Sequence, residues 1–251
     1  MSLDWSRLIL GRVSAWIWPG AWVLGAGLAC AQPTSSVYTA LGTLTRPVRS
    51  LPFRDVIWAT TGHRVLSLDT NNPDHRKLVQ LIQQAAQQAA SQAHRQGLVA
   101  ARANEAGNAI EPLVRQALRE VGLVAQIPTN AAGKAQVAGY PDLEIVGPVR
   151  CYLELKTYNA ATTRSTQRTF YYSPSPLPKV TQDALHLLLA FELEPVPQAG
   201  RTAFVPIGWT LLSLEDLVVD LKLEFNQSNR GLYGRPEAVL GQGRLAPAGE
   251  K

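Results

Sequence analysis

The sequence predicts an α/β domain built on a mixed central β-sheet flanked by helices, and three observations lead there. Residues 73–121 carry apolar side chains at helical spacing, broken once by Gly97 and closed by Gly122. Residues 141–158 alternate apolar and polar side chains in two short runs about a Gly-Pro pair, and residues 187–225 add further short apolar runs. Helices followed by paired strands give a sheet with helices packed on it. The chain has 251 residues, 46% hydrophobic and 17% charged, enough for one sizeable domain, and its net charge of +5 is compatible with a polyanionic partner.

The N-terminus differs from the rest. Arg7 and Arg12 precede an uncharged apolar run from Val13 to Ala29, and Ala29-Cys30-Ala31 offers a small-x-small cleavage site before Gln32. Residues 1–31 therefore read as a secretory signal peptide, with export to the periplasm or the medium expected. Pro19-Gly20 interrupts the run, which is short for a span, so no stable membrane span is expected in the mature chain. Leu28 argues against a lipoprotein signal at Cys30. A misassigned start, with a cytoplasmic protein, is the other reading of this segment. Once the leader is removed, Cys151 is the only cysteine, which excludes an intramolecular disulfide and a cysteine-based zinc site. A buried, inert thiol is its expected role.

From 32 to 233 the elements follow in order. Residues 56–60 and 64–68 read as short strands about Thr61-Gly62, with His63 a solvated turn residue. Asn72-Pro73-Asp74 caps a helix that runs to Gln96. A second helix lies between Asn104 and Val121, its face marked by Ile110, Val114, Ala117, Leu118 and Val121. Residues 123–127 form a strand. Pro141 to Val146 and Cys151 to Tyr158 form a hairpin turned by Gly147-Pro148. A polar loop leads to a strand at 169–172, a proline-rich connector ends at Pro178, and a helical turn covers 180–185. Strands follow at 187–193 and 203–212, then a helical turn at 214–217, an edge strand at 220–225 and a polar turn at 226–233. Residues 234–251, rich in Gly and Pro, form a loose tail.

The hairpin carries the chemistry. Residues two apart in a strand share a face, so Glu154 and Lys156 point the same way, and Asp142 comes beside Glu154 if the strands pair. Two carboxylates with open positions between them suit a hard, oxygen-seeking cation such as magnesium. Such an ion holds a phosphate oxygen and acidifies a bound water, which a neighbouring lysine can orient or deprotonate. The bland reading is an exposed hairpin with a cross-strand salt bridge worth tenths of a kcal/mol. Against it, Leu143, Ile145, Val146, Leu153 and Leu155 make the hairpin central, where charges are expensive unless used.

Pro141-Asp142 followed by Glu154-Leu155-Lys156 resembles the signature of the PD-(D/E)XK phosphodiesterase superfamily. The single domain with a long polar insertion after the motif most resembles the type II restriction endonucleases. The resemblance extends over residues 70–225 in architecture and some twenty residues in motif. It implies a restriction-endonuclease-like three-layer fold and a magnesium-dependent endodeoxyribonuclease, with manganese as a substitute ion. Asp142 and Glu154 would bind the metal with the Leu155 carbonyl, Lys156 would position the water, and Glu111 on the second helix would add a third carboxylate. Glu105 competes for that last role, whereas Glu120 points elsewhere. Residues 157–173 hold hydroxyls, amides, two arginines and no acid, so Arg164, Gln167 and Arg168 are the expected DNA contacts, unless the segment is only a polar loop. A homodimer is common among such relatives, because palindromic sites need two active sites, although no segment here marks an interface. Asp220-Leu-Lys222, with Glu224 on the same face, is a decoy that no Pro-Asp hairpin precedes. The rival readings are a catalytically silent DNA- or ligand-binding protein of this fold and an exported cell-envelope protein.

Overall fold

The computed structural model describes residues 35–100, 102–103, 105–162, 170–198 and 201–243. Contacts divide the chain into a unit ending at Arg46 and a unit beginning at Pro47. In the first, α1 spans Ser35–Leu44, and the expected leader lies outside the described residues. The second begins with β1 (Val48–Pro52), α2 (Phe53–Thr61), α3 (Pro73–Gln96), β2 (Leu98–Val99) and α4 (Gly107–Glu120). It continues through β3 (Val124–Gln126), β4 (Leu143–Val146), β5 (Cys151–Asn159), β6 (Leu185–Gln198), β7 (Arg201–Ser213), β8 (Val218–Leu221) and α5 (Asn229–Tyr233). Among the described residues no helix is long and apolar enough to cross a membrane.

Six strands form the central sheet in the order β2-β7-β6-β5-β4-β3. β5 and β6 run parallel and every other neighbouring pair is antiparallel, which is the mixed α/β sheet expected from the sequence. Alternation then sorts the side chains. Leu143, Ile145, Leu153, Leu155, Leu187 and Leu189 turn to one face and pack with α3 and α4. Each such buried leucine contributes roughly 2 kcal/mol. α3 is capped by the Asn72 side chain, with Pro73 at its first position, and its buried alanines, Ala85 to Ala93, let it lie close to the sheet. It ends at Gly97, whose φ of +70° is a backbone conformation that residues with a Cβ rarely adopt. Tyr152, Leu188 and Ala190 turn to the opposite face, where Phe53 and Ile57 of α2 meet them with Tyr140, Val180 and Leu214. The sheet is thus the middle of three layers.

Several local expectations fail for identifiable reasons. Residues 56–60 lie in α2 and form no strand. Phe53 and Ile57, four apart, are both fully buried, and Gly62 closes the helix in the left-handed conformation by donating to the Trp58 carbonyl. Val65 makes only an isolated bridge to Ala184. Residues 170–172 pair with no strand; Phe170 and Tyr172 set their rings edge-on to Phe53, with centroids 5.2 and 5.8 Å away. No helix forms at 180–184, because Val180 and Ala184 reach the second core from extended backbone. Residues 214–217 make a turn closed by the Leu217 N–H on the Leu214 carbonyl. β8 stops at Leu221 and pairs only with β1, outside the central sheet. The polar turn at 226–233 contains α5, capped by the Ser228 side chain.

Candidate active site

β4 and β5 pair with Leu143 opposite Leu153, Glu144 opposite Tyr152 and Ile145 opposite Cys151. One step further along this register, Asp142 faces Glu154. Asp142, Glu144, Tyr152, Glu154 and Lys156 therefore belong to one face of the hairpin. β4 begins only at Leu143, so the Leu155 N–H has no ladder partner there and donates to Asp142 Oδ2 at 2.7 Å. A residue's N–H and C=O leave an extended strand on the same edge. The Leu155 carbonyl is thus turned toward Asp142 as well. Asp142 Oδ1 has no bonding partner among the described residues.

The same face carries two buried glutamates with different surroundings. Glu144 is fully answered: Arg150 donates to Oε1 and the Gln126 side chain donates to Oε2 at 2.9 Å. Glu154 is 3% exposed, and its Oε1 accepts from Lys156 Nζ at 2.5 Å. Its Oε2 is buried and has no partner among the described residues. Burial, and then the Asp142 charge, push the Glu154 carboxyl well above the usual carboxylate range, opposed by Lys156 and Lys179. An orphaned carboxylate oxygen in a dry site is costly unless a proton or a cation meets it. Glu154 Oε2, Asp142 Oδ1 and the Leu155 carbonyl form an all-oxygen donor set that fits a hard divalent cation.

These groups stand at a polar cleft of about 650 Å³ whose walls include Arg102, Asn108, Glu111, Asp142, Lys156 and Tyr171. α4 supplies Glu111, whose carboxyl is raised by partial burial and then by Asp142, while Arg115 and Lys179 act to lower it. Glu105 instead forms an ion pair with Arg102 at 3.5 Å. Among the described residues no three His, Cys, Asp or Glu side chains gather tightly enough to cage a metal. Glu111 and Asp142 share the wall of this cleft. Arg164, Gln167 and Arg168 lie outside the described residues. Cys151 is free and buried, and burial raises its thiol pKa, as suits an inert core residue. A smaller hollow between α3 and β7, beside His94 and Trp209, has no carboxylate in its walls.

Two features had escaped the sequence. Lys179 is 2% exposed and donates to the Val137 carbonyl at 3.2 Å; its charge acts on Asp142, Glu154 and Glu111 together. The available signal was a lysine between Pro178 and Val180 in a stretch, 157–182, without a single acid. Behind the hairpin, Tyr140 Oη meets His186 Nδ1 at 2.6 Å and the rings stack, while Nε2 stays buried without a partner among the described residues. His186 is a packed core residue, and desolvation lowers its pKa to about 3.

A model of the MjaV type II restriction enzyme family matches residues 47–236, from the start of the second unit to just past α5. Over 215 residues the chain is 31% identical to the type II restriction enzyme MjaV of Methanocaldococcus jannaschii, covering 78% of this chain and 91% of that protein. The matched span holds the sheet, the hairpin and the cleft, and on that span the chain belongs to the MjaV type II restriction enzyme family.

Proposed function

We propose that this restriction endonuclease hydrolyses DNA phosphodiester bonds at the cleft formed by Asp142, Glu154 and Lys156, with magnesium as the metal and manganese able to replace it. The observation that carries this reading is the unpartnered, buried Oε2 of Glu154, a residue opposite Asp142 in the strand register, in a chain of the type II restriction enzyme family. A bound divalent ion supplies a Lewis acid for the phosphate and lowers the pKa of a water. Asp142 and Glu154 offer the open oxygens, and the Leu155 N–H fixes the Asp142 carboxylate. Lys156, on the cleft wall and tied to Glu154, orients the attacking water and shares its proton. Direct in-line attack needs no covalent intermediate.

Arg102 and Asn108 on one side and Asn159 with Thr162 on the other give the cleft donors for a DNA backbone. Arg164, Gln167 and Arg168, which follow Thr162 closely in sequence, are the further DNA contacts in this reading. A homodimer would present two such clefts to a palindrome, which light scattering of the protein with and without DNA can check. The presence of Asp142, Glu154 and Lys156 together argues against the silent-binder reading. Restriction also requires access to cytoplasmic DNA, which favours a protein retained in the cell over an exported one. Fractionation that recovers full-length chain with Met1 in the cytoplasm supports this; a mature form beginning near Gln32 outside it speaks for export. The direct test is purified protein on unmethylated plasmid and genomic DNA. Discrete fragments with magnesium, none with EDTA and none from Glu154→Gln are expected. Cleavage that persists in Glu154→Gln would remove the site assignment.

A further inference from the structure

Residues 170–172 are Phe-Tyr-Tyr, and the middle ring is used differently from its neighbours. Phe170 and Tyr172 stand edge-on to Phe53 of the second core, and the Tyr172 hydroxyl meets Thr60 Oγ1 at 2.6 Å. Both rings also stand edge-on to Tyr140, with centroids 5.9 and 5.7 Å away. Tyr140 is buried and leads directly into Pro141-Asp142. Tyr171, between these two anchored neighbours, is 59% exposed and lines the cleft that Asp142 and Lys156 also line. One aromatic cluster thus ties the backbone at Tyr171 to the backbone at Asp142. The cleft wall holds two other aromatic residues, but Phe204 is buried and Tyr158 packs on the second core. Among the described residues, Tyr171 gives this cleft its exposed aromatic face.

The polar donors of the cleft suit phosphate oxygens, and contacts of that kind set the register of DNA without reading its sequence. A tyrosine ring suits the face of a base instead. Resting on the reading of this cleft as the cleavage site, we propose that Tyr171 is a specificity-determining residue, whose ring stacks on a base adjoining the scissile phosphate. So small a cleft brings a ring on its wall to the nucleotides on either side of the phosphate attacked. In a duplex each base face is covered by the next base pair, so the ring takes the place of that neighbour and the step opens. The cost of opening depends on the step, which gives a sequence preference at the cut without any hydrogen bond to a base. Tyrosine has only two side-chain torsions to fix, and the cluster already holds its backbone, so little freedom is lost when the ring is seated.

The test is a double-mutant cycle between ring and base. It uses the full-length protein and a duplex carrying the cleavage site, identified by sequencing fragment ends, with calcium replacing magnesium for binding. Tyr171→Ala is expected to weaken binding and raise KM by about ten- to a hundredfold, the range of one base–aromatic stack. It should narrow the kcat/KM ratio between this site and sites changed beside the cut, while the single-turnover rate at saturating DNA and magnesium stays close to wild type. Tyr171→Phe keeps the ring and should keep wild-type values. An abasic nucleotide on one side of the scissile phosphate should weaken wild-type binding to the same degree and cost Tyr171→Ala nothing further. Circular dichroism checks the fold, and if Tyr171→Ala does not fold, the abasic duplexes with wild type decide. Additive losses at both neighbouring nucleotides, wild-type binding unchanged by either abasic nucleotide, or Tyr171→Phe as weak as Tyr171→Ala would overturn the role of Tyr171 and leave the cleavage site standing. Cleavage that persists in Glu154→Gln would remove the cleavage site and this inference with it.

Discussion

The chain contains the acid-x-lysine pattern twice, and the two copies have opposite fates. Glu154-Leu-Lys156 lies on β5, inside a six-stranded sheet, with Glu154 nearly inaccessible and one of its oxygens unanswered. Asp220-Leu-Lys222 lies at the end of β8 in a two-stranded ribbon, where Asp220 accepts from the Ser50 N–H at 2.9 Å and Lys222 pairs with Glu224. Residue types are nearly the same; burial and hydrogen-bond satisfaction are not. A carboxylate that is already bonded and wetted has no demand for a cation, whereas a dry, half-satisfied one does. The proposed site is on the unsatisfied copy.

The largest effect should come from exchanging the acids. Asp142→Asn is expected to lower cleavage by about 10⁴-fold or more at low magnesium, since without the ion the attacking water returns toward its bulk acidity. Raising magnesium should recover part of the rate. Asp220→Asn should stay within about twofold of wild type, as surface substitutions generally do. Initial rates on one plasmid substrate across a magnesium series compare the two; an Asp220→Asn loss as deep as that of Asp142→Asn would invert the comparison.

The lysines come next. Lys156→Ala should bind manganese nearly as wild type, because the carboxylates remain, yet cleave about two to four decades more slowly, the range of a positioned proton-transfer group. Single-turnover rates at saturating metal isolate that loss. Lys222→Ala should show no such loss.

Burial without chemistry is the next contrast, and His186 supplies it. Its folded pKa, about 3, lies below the ordinary value of 6.5, so the unfolded chain takes up the proton first. His186 therefore adds stability that is full above pH 6.5 and is lost as pH falls toward 3. Denaturant melts should lose a few kcal/mol over that window. His186→Gln should flatten the slope, and an unchanged pH profile in that variant would show that His186 is not its source.

How much of this was legible in sequence depended on the range of the contact. The hairpin was readable because alternation in β4 and β5 and the turn at Gly147-Pro148 are local, and the same parity placed Asp142, Glu154 and Lys156 on one face. Helices α3 and α4 were marked by their own apolar spacing and by Gly97 and Gly122. α2 was misread because a short apolar run such as Val56-Ile-Trp-Ala-Thr60 fits period two as well as period 3.6, and only the distant partners of Phe53 and Ile57 decide. Lys179 was not legible: it is buried in a proline-rich connector, where its ammonium donates to the Val137 carbonyl and the nearby Thr181 N–H donates to Tyr152 Oη. The motif singled out Glu154, but not the bonding that separates it from Glu144, a residue of the same type on the same hairpin. Their difference is whether Arg150 and Gln126 arrive, which is a property of packing.

The smallest expected effect concerns the decoy's own ion pair. The Lys222 and Glu224 side chains are 50% and 59% exposed, so water screens their attraction and both lose side-chain freedom on pairing. A double-mutant cycle with Lys222→Ala and Glu224→Ala should give a coupling below about 1 kcal/mol, falling further at high salt. The corresponding cycle at Lys156 and Glu154 should give more, because Lys156→Ala leaves the Glu154 carboxylate buried with neither oxygen answered. Urea melts at low and high salt measure both cycles. Equal couplings would mean that β5 sits in no drier surroundings than β8, and the physical ground for assigning chemistry to Glu154 rather than to Asp220 would be gone.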